Sequence, residues 1–299
     1  MRNILVLRGG GLGDFIVTLP ALALLRGAWP EARIEIVGNR AAAVLGLGEG
    51  LLDAVHSQAE ARWSRLYAEG PLPRETADWF DRFDLIVDYW PDPEGDLAKR
   101  FPSRAGQHHV CGTAKPERGP AAAHFCEPLR ALGLVPGEPW YRLAGISAPR
   151  QSRRVAVHPG SGSAAKNWPL ARWRLLCRHL VREEGAEIWV VAGEAEDPRI
   201  LEEFGEGVRG ATLPDVAAAL ASCGRFVGRD SGISHLAAAC GTPCCLLFGP
   251  TDPAVWAPPT EAVRVVRKGP GLDAIEIADV LEGLASLDPL GTHCPRLEE

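Results

Sequence analysis

Residues 3–26 read NILVLRGGGLGDFIVTLPALALLR, and this stretch decides the fold. Its first part, Asn3–Arg8, is a short apolar run that is typical of a buried parallel strand. A glycine-rich turn follows, and the residues from Asp14 to Arg26 then predict a helix. A buried strand, a glycine turn and a helix together form the opening unit of a doubly wound α/β sheet.

The same alternation of strands and helices runs along the rest of the chain in two series. The first series predicts further strands at 33–37, 53–56, 84–88 and 108–111, with helices at 76–82 and 121–132. After the polar stretch at 145–152, the second series predicts strands at 154–158, 186–192, 225–228, 243–248 and 262–266, with helices at 170–184, 214–221, 233–240 and 272–287. We therefore expect two Rossmann-like domains that face a central cleft, residues 1–150 and 151–299, with the last helix able to pack back on the first domain.

Composition narrows the class of protein. The 299 residues are 46% hydrophobic and 23% charged, which is typical of a soluble globular chain long enough for two cores. No apolar run reaches the roughly 18 residues of a membrane span, and Arg8 and Asp14 interrupt the region that a secretory signal would need. The net charge of -6 disfavours a general nucleic-acid binder. The eight cysteines include no CxxC pair and predict free thiols in the cytoplasm.

The first candidate site is the glycine-rich turn itself. Gly10, Gly11 and Gly13 let the backbone approach a ligand closely, and the helix start that follows suits an anion or a sugar hydroxyl. The spacing fits neither the dinucleotide fingerprint nor a P-loop. Asp14 is either a helix cap or a general base in the cleft, and the turn alone leaves both open.

The second candidate site is the loop at 158–169, HPGSGSAAKNWP. Ser161, Gly162 and Ser163 offer backbone N–H groups and hydroxyls that can surround a diphosphate, and Lys166 adds a positive charge. The alternative is an ordinary surface loop, which is less attractive because Trp168 would anchor it.

The third candidate site is the stretch at 228–243, GRDSGISHLAAACGTP. A strand ends at Gly228, and a helix begins at Ser231 or Gly232, where its first amides are well placed for a phosphate. Asp230 and His235 either belong to this site or only support the helix. The strand that follows leads into a turn-rich loop, GPTDP, at the same edge of the sheet.

Together these stretches resemble glycosyltransferase family nine, the family of the bacterial lipopolysaccharide heptosyltransferases. The resemblance runs from Asn3 to about Trp256 and keeps the order and spacing of the motifs. It implies the GT-B fold, inversion at the anomeric carbon, and use of ADP-heptose without a metal or other cofactor. The absence of a DxD pair agrees with a site that relies on lysine.

The resemblance also implies a role for each matching residue. Asp14 would be the catalytic base, in an acceptor-side loop formed by Gly10, Gly11 and Gly13. Lys166 would lie against the donor diphosphate, and Glu194 would hold the ribose hydroxyls. The remaining donor-binding positions would be Ser161, Gly162 and Ser163 near the diphosphate, Asp230, Ser231, Gly232 and His235 beside the sugar and diphosphate, and Thr212 and Leu213 at the adenine.

One departure from the family concerns the acceptor. The glycine triplet at 9–11 replaces the bulkier or serine-containing residues that are more usual before Leu-Gly-Asp. We expect a saccharide acceptor, which can be lipid-linked, and hence peripheral contact with the cytoplasmic face of the inner membrane. Basic residues at 99–104 and 115–118, including Lys99, Arg100 and Arg104, belong either to the acceptor side or to an ordinary solvated surface.

Three other functions compete with glycosyl transfer. A nucleotide-sugar epimerase or hydrolase would turn over its substrate without an acceptor. A non-catalytic nucleotide-sugar binding protein would use Asp14 only as a helix cap. A dehydrogenase is disfavoured by the glycine spacing and because Glu35, the only acid near the ribose position, falls inside the second predicted strand.

Overall fold

The first half of the chain forms a five-stranded sheet. A computed structural model describes residues 1–160, 167–192, 204 and 206–287. All neighbouring strands of this sheet are parallel, in the order β3-β2-β1-β4-β5. Their bounds are β1 Asn3–Arg8, β2 Arg33–Gly38, β3 Ala54–Ser57, β4 Leu85–Asp88 and β5 His108–Cys111.

The second half forms a six-stranded sheet, also parallel throughout, in the order β11-β10-β9-β6-β7-β8. Its strands are β6 Gln151–Val157, β7 Glu187–Ala192, β8 Gly207–Arg209, β9 Cys223–Arg229, β10 Cys244–Leu247 and β11 Val263–Val266. Two parallel sheets in succession confirm the predicted α/β fold. The first strand of the second sheet begins inside the polar stretch at 145–152.

Helices connect the strands in both halves. In the described residues of the first half they are α1 Leu12–Ile16, α2 Leu19–Ala28, α3 Arg40–Gly48, α4 Arg74–Phe80, α5 Asp96–Arg100 and α6 Ala121–Cys126, with 3-10 turns at Ala61–Leu66 and Glu127–Leu132. In the described part of the second half they are α7 Leu170–Glu184, α8 Leu213–Ser222, α9 Gly232–Ala239, α10 Pro253–Trp256 and α11 Ile277–Ala285. No described helix is long and apolar enough to cross a membrane.

Prolines account for two differences from the predicted helices. The single helix expected from Asp14 to Arg26 is two helices, because Pro20 is the second residue of α2 and could not continue α1 without losing a backbone hydrogen bond. The helix expected at 121–132 gives way to a 3-10 turn at Pro128 for the same reason. Helix α3 was not predicted, although Asn39 caps it by accepting a hydrogen bond from Ala42 N.

Each sheet has a point where the strand order reverses. In the first sheet this point lies between β1 and β4, and in the second it lies between β6 and β9. The crevice beyond the carboxyl ends of the strands at such a point is where open α/β sheets bind ligands. The three candidate motifs follow β1, β6 and β9, so each begins at the carboxyl end of a strand beside one of these crevices.

Apolar residues join the two halves. One continuous core includes Ile4 and Phe15 from the first half and Phe226 and Leu236 from the second, and all four are almost fully buried. A separate core lies on the other face of the second sheet and contains Val280 and Leu284. The last described helix, α11, therefore packs on its own sheet and not on the first domain, which corrects our expectation for it.

Candidate functional site

The loop after β1 has a backbone that only glycine can supply. Gly10 has a φ of 106°, and a Cβ atom there would lie 2.4 Å from Asp14 Oδ2. The side chain of Gln58 holds the loop through two hydrogen bonds. Gly10 N donates to Gln58 Oε1 at 3.1 Å, and Gln58 Nε2 donates to Gly10 O at 3.2 Å. The glycine-rich turn is thus a fixed element beside Asp14.

Asp14 has the helix-capping role that the sequence left open, and its position is compatible with the second role, that of a general base. It is the third residue of α1, and its Oδ2 accepts a hydrogen bond from Gly11 N at 2.8 Å, as a helix-capping carboxylate does. Its side chain nevertheless remains 37% exposed at the crevice. A carboxylate that is held in place and still accessible is what a general base requires.

Arg8 holds the other carboxylate oxygen of Asp14, and sequence reasoning did not assign it a role. Its Nη2 donates to Asp14 Oδ1 at 2.9 Å and its Nε donates to Thr18 Oγ1 at 3.1 Å. The guanidinium carbon also lies 4.4 Å from the centre of the Phe125 ring. Burial lowers the pKa of Arg8, and the Asp14 carboxylate opposes that shift. The position of Arg8, a charged residue at the end of a buried strand, is the signal in the sequence that could have indicated this role.

The start of α9 meets the start of α1 at a pair of glycines. A Cβ atom on Gly232 would lie 2.9 Å from Gly13 N and 2.9 Å from Leu12 Cβ. A Cβ atom on Gly13 would lie 3.4 Å from Gly232 Cα. Ser231 caps α9 by accepting a hydrogen bond from Ser234 N at 3.3 Å. The two crevices therefore share one junction, with Asp14 on one side and the amide end of α9 on the other.

Asp230 and His235 lie together behind that helix start. Thr251 Oγ1 donates to Asp230 Oδ2 at 2.8 Å, and His235 Nε2 lies 3.9 Å from Asp230 Oδ1. The side chains of Asp230 and His235 are only 11% and 6% exposed. His235 Nδ1 is buried without a hydrogen-bond partner among the described residues. Thr251 lies in the turn-rich loop that the sequence singled out, but it was not predicted as a site residue.

The remaining donor-side predictions are only partly placed. Thr212 caps α8, its Oγ1 donates to Asp215 Oδ2 at 2.6 Å, and Leu213 begins the helix. Both follow β8 and so lie at the carboxyl edge of the second sheet, while their contact with an adenine stays a prediction. Five predicted residues lie outside the described residues: Ser161, Gly162, Ser163, Lys166 and Glu194.

The described ends of the 158–169 loop are anchored in the core. His158 is buried, and its Nδ1 lies 2.8 Å from Val191 O. Trp168 is 1% exposed, and its Nε1 donates to Ile275 O at 2.9 Å. The expected anchoring by Trp168 is therefore present, although the loop that it anchors lies outside the described residues.

The basic residues suspected on the acceptor side support their own domain instead. Arg100 donates to the backbone oxygens of Leu66, Ala68 and Gly70. Arg104 donates to Asp81 O, to Phe83 O and to a carboxylate oxygen of Asp84. Lys99 pairs with Asp96 at 2.9 Å. These contacts favour the surface alternative over an acceptor role.

The cysteines behave as the sequence predicts. All seven in the described residues are free, and Cys244 and Cys245 are fully buried, where burial raises the pKa of Cys245 to about 12. In the described part of the chain, one group of potential metal-binding atoms lies within 4.8 Å of one another, on Asp88, His109 and Cys111. Independence from metal stays a prediction.

Solved structures define the class of protein to which this architecture belongs. A family 9 glycosyltransferase from Veillonella parvula superposes with a TM-score of 0.76 at 19% identity, covering 96% of this chain and 97% of that one. The E. coli heptosyltransferase WaaC with ADP superposes with a TM-score of 0.74 at 21% identity, covering 95% and 99%. With two parallel sheets that meet at their crevices, the chain has the GT-B fold of these proteins.

Sequence comparison then finds relatives among the heptosyltransferases. Residues 141–277 match the model of glycosyltransferase family 9 (heptosyltransferase). The chain is 24% identical over 336 residues to lipopolysaccharide heptosyltransferase 2 of E. coli K12, covering 94% of this chain and 92% of the relative. It is 29% identical over 336 residues, with the same coverage, to its counterpart in Salmonella typhimurium. The chain is a glycosyltransferase that is similar to the heptosyltransferases of family 9 over most of its length.

Proposed function

We propose that this enzyme moves heptose from ADP-heptose to a saccharide acceptor of the lipopolysaccharide core or a related glycan. The proposed transfer inverts the anomeric carbon and needs no metal. The names of its relatives support the sugar and the acceptor class, because both curated relatives are lipopolysaccharide heptosyltransferases. A similar fold has been solved with ADP-2-deoxy-2-fluoro heptose, which supports the choice of donor.

The junction between Gly13 and Gly232 is the observation that carries the proposal. It brings an accessible carboxylate, Asp14, close to the amide end of α9. A helix of eight residues with its N-terminus at a crevice is suited to hold a diphosphate. Inverting transfer needs this arrangement, with the base on the acceptor side and the leaving group on the donor side.

The proposed mechanism assigns one task to each side of the junction. As the acceptor oxygen forms its bond to the anomeric carbon, Asp14 takes the hydroxyl proton. The bond from that carbon to the ADP oxygen breaks at the same time, and its electron pair leaves with ADP. The amides at the start of α9 and the ammonium of Lys166 stabilise the growing negative charge. Asp230 and His235 would hold the heptose hydroxyls.

The surroundings of the reaction are part of the same proposal. Closure of the two domains on the donor would bring Asp14 to the anomeric carbon and exclude water. Since the acceptors implied by the relatives' names belong to lipopolysaccharide, we propose a lipid-linked acceptor. Peripheral contact with the cytoplasmic face of the inner membrane follows from an acceptor of that kind.

The test is an incubation of the enzyme with ADP-heptose, with and without a truncated lipopolysaccharide core acceptor, in the presence of EDTA. We expect ADP release that depends on the acceptor, a product with inverted anomeric configuration by NMR, and a lower rate for Lys166→Ala. Turnover without acceptor would favour an epimerase or hydrolase. A complete requirement for added metal would contradict the metal-independent mechanism.

A further inference from the structure

A groove lies beside the glycine turn, on the side away from the second sheet's helix start. Its volume is about 520 Å³, and its lining includes Gly9, Gly10, Gln58, Trp63, Tyr67 and Trp90. The loops after β1 and β4 and the segment after β3, with its 3-10 turn at Ala61–Leu66, form its walls, so the groove lies at the carboxyl edge of the first sheet. The groove reaches Gly10, which lies in the same turn as Asp14.

Aromatic rings form much of the groove. Trp63 and Trp90 lie at its base, with ring centres 6.4 Å apart and planes inclined at 72°. Tyr67 is 40% exposed, and its hydroxyl donates to Pro91 O at 3.0 Å, which holds the ring in position. The C–H face of a sugar ring carries a slight positive charge and packs well on the negative face of an aromatic ring.

The lining contains no lysine or arginine. Its one charged residue is Glu60, which accepts a hydrogen bond from Ser57 N at 3.0 Å and pairs with Arg62 at 2.9 Å. The surroundings are acidic, because Asp88, Asp92 and Asp96 lie near Tyr67. Burial and these three charges together raise the pKa of Tyr67 to about 12. Arg62, whose guanidinium carbon lies 4.0 Å from the centre of the Trp63 ring, is already paired with Glu60. A carboxylate or phosphate that entered the groove would therefore lose water and gain no unpaired cation.

The glycine turn leaves a side-chain-free path between the groove and the base. A Cβ atom on Gly9 would lie 3.5 Å from Gln58 Oε1 and 3.6 Å from Trp90 Nε1, on the groove side. A Cβ atom on Gly10 would collide with the carboxylate of Asp14. Only backbone atoms of Gly9 and Gly10 therefore lie between Asp14 and the groove. Both residues belong to the glycine triplet at 9–11, which replaces the bulkier or serine-containing residues that are more usual in the family.

We infer from this geometry that the groove binds an uncharged sugar ring of the acceptor, next to the hydroxyl that Asp14 deprotonates. The inference rests on the proposed glycosyl transfer and adds the charge of the acceptor to it. The Trp90 indole supplies a further argument, because its N–H is buried without a partner among the described residues. Buried donors are normally satisfied, and a sugar hydroxyl in the groove is a candidate for the missing acceptor.

The test compares two sugars that differ only in one carboxylate, methyl β-D-glucopyranoside and methyl β-D-glucopyranosiduronate. Binding to the full-length enzyme in the presence of ADP is measured by saturation-transfer NMR. We expect the neutral glucoside to bind, and the uronate to bind weaker by about tenfold, because its carboxylate meets no cation.

Two variants locate the binding. Gly9→Ser places a side chain at ordinary contact distance from Gln58 and Trp90, so it should fold normally, fill the groove and weaken glucoside binding by about fivefold or more. Gly27→Ser is the matched control, because a Cβ atom there meets nothing within 4 Å. Tyr67→Ala, which removes a half-exposed ring, gives a second and independent variant.

The outcomes separate this inference from the proposed function. Equal or tighter binding of the uronate, binding of neither sugar, or glucoside binding that survives both Gly9→Ser and Tyr67→Ala would overturn the inference. ADP binding is measured on the same samples. If ADP binds normally while the sugar results fail, only the neutral groove is wrong; if ADP does not bind, the proposed function fails with it.

Discussion

Asp14 and Asp230 occupy equivalent places in the two halves of the molecule, but their surroundings differ. Each follows a central strand of its sheet and lies where a helix begins. Asp14 is inside its helix, is held by the guanidinium of Arg8, and is 37% exposed. Asp230 precedes the helix cap, accepts a hydrogen bond from Thr251, and is 11% exposed beside His235.

The difference supports the two roles that we propose for these carboxylates. A carboxylate that an arginine positions and that the crevice leaves open can exchange a proton with an acceptor. A buried carboxylate beside a hydroxyl and an imidazole is better suited to hold the hydroxyls of a bound sugar. Function therefore follows from the partners of each carboxylate and not from its place in the sheet.

Replacing the exposed carboxylate should have the largest effect. We expect Asp14→Asn to lower kcat by roughly 10²–10⁴-fold, because the amide cannot accept the acceptor proton. The matched control is Asp84→Asn, since Asp84 lies before β4 and accepts hydrogen bonds from Arg2 N and Asn3 N at the opposite edge of the same sheet. Full activity of Asp14→Asn in a steady-state assay would leave Asp14 as a helix cap only.

Replacing the buried carboxylate should act mainly on the donor. Asp230→Asn keeps the shape of the side chain and weakens its hydrogen bonds, each of which contributes about 1.5–3 kcal/mol when one partner is charged. We expect KM for the nucleotide sugar to rise by about tenfold or more, with a smaller change in kcat. An unchanged KM together with a large loss of kcat would assign Asp230 to the chemical step and weaken the division of roles.

The junction between the two halves can be disturbed in two unequal ways. Gly232→Ala forces a Cβ atom to within 2.9 Å of Gly13 N and Leu12 Cβ, whereas Gly13→Ala meets Gly232 Cα at 3.4 Å. We expect Gly232→Ala to cost about 1–3 kcal/mol of stability and to lower kcat, and Gly13→Ala to cost less. Urea denaturation measures the loss of stability in each variant, and a steady-state assay measures the loss of kcat. A larger loss in Gly13→Ala than in Gly232→Ala would contradict the contact between α1 and α9 described here.

A third carboxylate, Glu35, has a structural role only, in contrast to the roles proposed for Asp14 and Asp230. It is buried on β2 and bonded to His56 and Arg33, and these partners hold its pKa at about 2, against 4.5 ordinarily. Its contribution to stability is present above pH 4.5 and is lost as the pH falls towards 2.

Because Arg33 is exposed, we expect this contribution to be about 1–2 kcal/mol. Glu35→Gln should remove that part of the pH dependence in urea denaturation at pH 5 and pH 2.5. It should leave turnover at neutral pH unchanged. A loss of activity without a loss of stability would place Glu35 in the site and contradict its structural role.

Much of the fold could be predicted from the sequence because parallel strands are short apolar runs with a strong signal. Buried strands such as Asn3–Arg8 were found with their correct bounds. Helix ends were less predictable, because Pro20 and Pro128 stop helices whose apolar pattern continues past them. The packing of the last helix was predicted wrongly, because an amphipathic helix does not specify which of two apolar surfaces it will cover.

The candidate site was predictable where glycines and carboxylates stand together in the chain. Motif spacing placed Asp14, Gly10 and Asp230 at the crevices. It could not find Gln58 or Thr251 as partners, because each reaches the site through a hydrogen bond to a residue that is distant in sequence. Arg8 stands in the same motif as Asp14 and was overlooked. The aromatic groove was missed for the same reason, since Trp63 and Trp90 are distant in sequence.

The central claim is that Asp14 serves the acceptor while the second sheet holds the donor, and calorimetry tests it most directly. ADP, UDP and GDP are titrated in the presence of EDTA into the wild-type enzyme and into Asp14→Asn. We predict binding that prefers ADP and has the same affinity in both proteins. No nucleotide binding to the wild type, or loss of ADP binding in Asp14→Asn, would contradict the account.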